Sequence, residues 1–171
     1  MTTPLVRSDT FIRATRETGY RSTAFAVAEL VDNAIQASAE NVEILVAKDG
    51  EAEPFGLTVA VIDDGVGMSP EQLAEALQFG GSSRFNNRSG QGRFGMGLPN
   101  ASVSQARQVD VFSWNDKSRA FHTCLDSDAI ARGEVVGLPP VTVRALPPVV
   151  ETAGASRGTA VIWSKCDRIP Y

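Results

Sequence analysis

The sequence predicts one globular domain that combines helix and strand, and three observations predict it. The chain has 171 residues, a length that a single hydrophobic core commonly serves (about 100–200 residues). Its 43% apolar and 21% charged content are those of a folded soluble protein rather than a disordered or fibrous one. Its patterned segments change from a 3.6-residue period to short apolar runs bounded by turn residues.

The first strong element is a helix from about Thr23 to Ala39, in which Val27, Leu30, Val31, Ala34, Ile35 and Ser38 follow the spacing of one buried face. Glu29 and Asn33 fall roughly opposite that face, one turn and ~6 Å of axial rise apart. From this helix alone, the plainer reading is that the acid and the amide are displayed to water. Strand-like runs follow at Val42 to Ala47 and at Leu57 to Ile62, the second ending in Asp63, Asp64, Gly65, Val66, Gly67 and Met68. Two glycines one residue apart after a strand permit a tight turn and close approach of backbone to a ligand. An aspartate at the strand end can accept a hydrogen bond from an amino group. Ser69, Pro70 and Gln72 form the capping-box opening of a helix that runs to about Phe79.

Gly80 to Gly97 holds six of the chain's 15 glycines. So many glycines make a segment costly to order, which fits a cover that settles on a ligand. Gly90, Gly92 and Gly95 match the spacing of a dinucleotide fingerprint, but the preceding Arg84 to Ser89 is a polar loop and not the strand that motif requires. The other reading is a glycine loop entering a helix near Leu98, with free backbone N–H groups that hold phosphates. Further strands are expected at Val109 to Trp114, Ala120 to Leu125 and Thr159 to Ser164, with a weaker one at Val141 to Ala145. The proline pairs at Pro139-Pro140 and Pro147-Pro148 read as turns or edges.

Sixteen Lys and Arg against twenty Asp and Glu leave a net charge of -4, which argues against broad capture of nucleic acid or anionic membrane. No apolar run approaches the ~20 residues of a membrane span, and the N-terminal residues carry no signal-peptide or lipidation pattern. The expectation is a cytoplasmic protein with no membrane partner. Cys124 and Cys166 lie far apart and His122 is the single histidine, so no local metal-ligand set is expected. Both thiols read as reduced core residues and His122 as a satisfied sheet residue. The chain's end, directly after a strand-like run, reads as the boundary of an N-terminal part of a longer protein.

Together, Glu29 to Ala34, Asp63 to Met68, Gly92 to Leu98, and Gly158-Thr159 resemble, in order and approximate spacing, the motifs of the GHKL ATPases. That superfamily comprises gyrase-type subunits, Hsp90 chaperones, histidine kinases and MutL, with the MORC proteins as relatives. The chain looks most like the Hsp90-like and MORC-like branches. The resemblance implies an α+β two-layer sandwich, the Bergerat fold: a mixed, mainly antiparallel sheet with helices on one face and a flexible ATP lid at about residues 80–97. It implies Mg²⁺-dependent binding and hydrolysis of ATP, release of ADP, and an ATP-dependent homodimer. A protein or DNA client would be chosen by further domains.

Residue by residue, the resemblance makes Glu29 the general base and Asn33 the Mg²⁺ ligand. Asp63 would accept from the adenine amino group, assisted by Thr159. Gly65, Gly67 and Met68 would border the base, while Gly92, Arg93, Phe94, Gly95, Met96, Gly97 and Leu98 would wrap the phosphates. Asp32 reads as a structural acid tying down a basic residue. The chain departs from several relatives in having no lysine in the lid, whose cations are Arg84, Arg88 and Arg93. The alternatives are a histidine-kinase-type phosphotransferase, against which Glu29 argues, and a sensor that binds ATP without hydrolysing it.

Overall fold

The computed structural model describes residues 3, 5–48, 56–80 and 96–169. Helices α1 (Ser8–Thr18) and α2 (Thr23–Gln36) precede the hairpin β1 (Val42–Lys48) and β2 (Leu57–Asp63). Helices α3 (Pro70–Ala76) and α4 (Gly97–Gln105) lead into β3 (Ala106–Trp114) and β4 (Ala120–Asp126). The short α5 (Ser127–Ala131), β5 (Thr142–Arg144) and α6 (Pro148–Thr152) come before the long β6 (Gly158–Cys166).

The strands form one six-stranded sheet in the order β1-β2-β6-β3-β4-β5, and every described pairing is antiparallel. The expected α+β sandwich is present, with its sheet wholly rather than mainly antiparallel among the described residues. The central strands are apolar on both faces, as covered strands must be. On one face Val59 and Val61 of β2, Val161 and Trp163 of β6, and Val109 and Val111 of β3 pack against Ile12, Leu30, Leu73, Val103 and Ile130 from α1 to α5. On the other face, Ile62, Phe112, Trp114 and Ile162 meet Leu146 and Val150. The short α6 thus covers a face that the expected architecture left without helices.

Local chemistry explains most boundaries. Ser69 and Gln72 close the expected capping box: Gln72 N donates to Ser69 Oγ at 3.3 Å and Ser69 N donates to Gln72 Oε1 at 2.9 Å. The helix stops at Ala76 rather than Phe79, yet Phe79 still packs edge-on against Phe11 with ring centroids 5.0 Å apart. Pro148 opens α6 at a position where its missing N–H costs nothing. Pro139 and Pro140 precede β5, a short outer strand of the kind that discourages further pairing.

In α2, the buried side chains are Ala26, Leu30 and Ala34, while Phe25 and Ile35 are exposed. This corrects the expected stripe, which included Ile35 and Ser38. The helix lies close to α4, and small alanines permit that approach. Rotating the buried stripe in this way moves Glu29 and Asn33 from the opposite side of the helix to its flank, where both are half-buried. The helix α1 was not expected. Its residues are mostly polar, and only Ile12 and Thr15 are buried.

Candidate nucleotide site

Strand periodicity builds the first wall of the site. Asp63 pairs with Thr159, and Thr159 pairs with Ser113, in neighbouring strands of the sheet. Each lies an even number of residues from a helix-facing apolar side chain, namely Val61, Val161 and Val111, so all three share the helix-facing side at one end of the sheet. Asp63 and Thr159 are each 9% exposed and Ser113 is fully buried. A buried polar row of this kind must be hydrogen-bonded. Gly65 N donates to Asp63 Oδ1 at 2.8 Å, and the hydroxyls of Ser113 and Thr159 lie 3.2 Å apart. Burial pushes the Asp63 carboxyl above the usual carboxylate range, with the backbone of Gly65 and Thr159 pulling the other way.

Ser113 also holds the loop after β2, accepting from Met68 N at 2.7 Å and donating to Gly158 O at 3.1 Å. Gly67 sits in that loop at φ +71, a left-handed conformation, with its Cα so close to β3 that a Cβ would lie 2.8 Å from Trp114 O. The other side of the loop is stitched to α2 and its exit. Val66 N donates to Ala37 O at 2.9 Å, and a side chain on Gly65 would lie 2.8 Å from that same carbonyl. Asp64 accepts from Glu40 N at 2.7 Å and from Asn41 Nδ2 at 2.8 Å, which makes it a fastener for the loop.

The other end of α2 meets the start of α4. A Cβ on Gly97 would fall on Glu29 Oε1, so only glycine lets the first turn of α4 reach this carboxylate. The second oxygen of Glu29 accepts from the Tyr20 hydroxyl at 3.1 Å. Burial, with the charge of Glu29 added, raises the Tyr20 phenol above its ordinary range and keeps it a donor. Gln105, buried at the end of α4, donates to Tyr20 O at 2.8 Å and accepts from Thr23 Oγ1 at 2.7 Å. Among the described residues the first turn of α4 has neither a side-chain cap nor an acidic residue, an arrangement suited to an anion.

The structure therefore brings together two groups of the expected residues. Asp63, Gly65, Gly67, Met68 and Thr159 meet at the sheet end, while Glu29 and Gly97 meet at the α4 start. Asn33 lies between them along α2, Leu98 packs against the helix-side core, and Met96 is exposed. Gly92, Arg93, Phe94 and Gly95, with the rest of 81–95, lie outside the described residues. Asp32 has no basic partner among the described residues; it borders a shallow depression on α2 with Val27 and Val31. Sequence reasoning missed Ser113 and Tyr20. A serine in a strand and a tyrosine before a helix carry no motif, and only the register and the hydrogen bonds reveal their places.

One further expectation is corrected. His122 and Cys124 do meet a third potential ligand, Asp110, on the sheet face opposite helices α1 to α5. Cys166 is the buried core thiol, pushed up to about 12 by desolvation. Cys124 is only half-buried.

Residues 20–159 match the family described as histidine kinase-, DNA gyrase B- and HSP90-like ATPase. ATPase MORC2 of Homo sapiens is 33% identical over 134 residues, covering 74% of this chain and 12% of that protein. ATPase MORC2A of Mus musculus is 32% identical over 134 residues, with the same coverage of 74% and 12%. The DNA mismatch repair protein MutL of Caulobacter vibrioides is 45% identical over 63 residues, 36% of this chain and 9% of that protein. The chain thus spans no more than 12% of the length of these relatives.

Proposed function

The chain belongs to the histidine kinase-, DNA gyrase B- and HSP90-like ATPase family, and on that premise we propose that it binds ATP along α2 and hydrolyses it. The observation that carries this reading is the pair of contacts that α2 makes. Near Ala37 it touches the loop after Asp63, and at Glu29 it touches the start of α4. Eight residues of helix separate these points by ~12 Å, a span on the scale of an extended nucleoside triphosphate. The base belongs at the Asp63 end, where a buried carboxylate accepts from the adenine amino group beside Thr159. The phosphates belong at the uncapped start of α4.

The residues present fit Mg²⁺. Asn33, half-buried between the two ends, offers the amide oxygen that a hard cation takes. The ion would supply charge neutralisation on the phosphates. Glu29, fixed by the Tyr20 hydroxyl, orients and deprotonates the attacking water. The same reading extends to closure of residues 80–97 over the nucleotide and to ATP-dependent pairing of two such domains. The client, whether protein or DNA, would be engaged by other parts of a longer chain.

The test separates binding from chemistry. Glu29→Ala is expected to retain ATP affinity in calorimetry while phosphate release falls by ~10²-fold or more. Asn33→Ala is expected to lose the Mg²⁺-dependent part of binding. Equal loss of affinity in both variants would remove Glu29 from the role of base. Normal affinity with no turnover in the unmodified protein would favour a sensor over a hydrolase.

A further inference from the structure

On the sheet face opposite helices α1 to α5, Asp110 of β3 stands directly across from Cys124 of β4, with His122 two residues away on the same face. One carboxylate oxygen, one ring nitrogen and the sulfur all lie within 4.8 Å of one another. From this juxtaposition we propose that Asp110, His122 and Cys124 form a binding site for a divalent transition-metal ion, best matched by Zn²⁺.

The donor set selects the ion. An imidazole, a thiolate and a carboxylate are the ligand types that Zn²⁺ takes, whereas Mg²⁺ and Ca²⁺ prefer oxygen alone. Tetrahedral ligands on bonds of ~2.0–2.3 Å stand ~3.3–3.7 Å apart. The three side chains therefore need only small rotations to close on an ion. His122 Nε2 and Asp110 Oδ1 are 2.7 Å apart, within hydrogen-bond distance. The ion would sit on Nε2 with the ring proton carried on Nδ1, and would displace the Cys124 proton to solvent, with water as the fourth ligand.

The surroundings resemble an outer shell that holds ligands in place. Gln108 Nε2 donates to the second oxygen of Asp110 at 3.2 Å. The Phe112 ring lies 4.6 Å from the His122 ring and restricts its rotation. His122 is buried, but the Asp110 side chain is 20% exposed and Cys124 is half-exposed, so an ion has a way in from solvent. The site uses none of the nucleotide-binding residues and lies on the other side of the sheet. Its failure would leave the ATPase reading untouched.

The test uses the full chain, freed of metal and without nucleotide, titrated with Co²⁺ and then Zn²⁺. One equivalent of Co²⁺ is expected to give a thiolate-to-cobalt charge-transfer band that one equivalent of Zn²⁺ removes. Cys124→Ser should abolish the band, and His122→Ala should weaken binding by ~10-fold or more. Because His122 is buried and its removal can disturb the fold, the half-exposed Cys124 variant decides the matter. Absence of stoichiometric binding, or a band unchanged in Cys124→Ser, would overturn the proposal and leave His122 and Asp110 as a structural hydrogen-bonded pair.

Discussion

The role proposed for Asp63 sets two demands against each other. Recognition of an amino group wants a charged acceptor in a dry site, and the dry site penalises the charge, which is why burial raises its pKa. The sign of the consequence follows. A carboxyl with a raised folded-state pKa costs stability as pH climbs from the ordinary aspartate value of 3.8 through the raised one. Asp63→Asn removes that cost and keeps an oxygen for Gly65 N, so it is expected to leave stability at neutral pH unchanged or higher. It should nevertheless weaken ATP binding by ~10–100-fold, the worth of a hydrogen bond to a charged acceptor. GTP, which presents a carbonyl to the same carboxylate, should bind up to ~10⁴-fold more weakly than ATP. Calorimetry with both nucleotides, beside urea unfolding from pH 4 to 8, checks the pair of outcomes. Comparable affinities for ATP and GTP would exclude Asp63 as the base-reading residue. Asp63 stood out in the sequence only through the four motifs taken together, because a strand end followed by two spaced glycines is a weak signal by itself. Ser113 did not stand out, since its importance arises from its pairing with Thr159.

Among the elements, α2 most clearly separates what sequence pattern can and cannot say. Its existence, and the placing of Glu29 and Asn33 one turn apart, followed from period and spacing. Its orientation did not. The helical spacing took in Val31 and Ile35 beside Leu30 and Ala34, whereas close packing on α4 buries Ala26 with Leu30 and Ala34 and leaves Ile35 exposed. The strands were legible to within a few residues because apolar runs between turns are local signals. The polar α1 stayed invisible because its anchors are distant: Arg16 Nη1 donates to Val103 O at 2.7 Å and to Ala106 O at 2.6 Å. The loop after β2 offers a test at this scale. Ser113→Ala strips the acceptor from Met68 N in a buried site, and the expected cost is about 1–3 kcal/mol. Loosening of that loop should also weaken ATP binding several-fold. Urea unfolding and calorimetry on the same sample measure both, and lost stability with unaltered nucleotide affinity would place the Met68 loop outside the site.

For the whole molecule, the early and late parts of the chain are tied at Asp167. It accepts two bonds from Arg16 Nη2 at 2.7 Å and one from Arg107 Nε at 2.8 Å. Burial alone would raise the Asp167 carboxyl, but hydrogen bonds from Arg16 and Arg107 outweigh it and hold the pKa below the usual 3.8. A depressed carboxylate contributes stability that is complete above 3.8 and disappears as pH falls through the lowered value. Asp167→Asn is expected to cost about 2–3 kcal/mol at pH 7, below the full range for a buried pair because Arg107 remains partly exposed. The gap between the variant and the unmodified protein should shrink below pH 4 in denaturant titrations. A gap independent of pH would assign the loss to packing rather than charge. Among the described residues no helix is long and apolar enough to cross a membrane.

The sheet order also has a consequence for how such a chain is made. The strand that carries Thr159 is the last described in sequence, yet it sits between β2 and β3. Until it arrives, β1 and β2 form one ladder and β3, β4 and β5 another, with no strand to hydrogen-bond them together. A ribosome emitting this protein therefore releases two half-sheets with open inner edges, the kind of surface that invites pairing with a neighbour. On the proposed reading, nucleotide competence waits for β6: Thr159, which would complete the adenine wall, is on the strand that joins the halves, so a chain unable to close its sheet would also be unable to hold ATP.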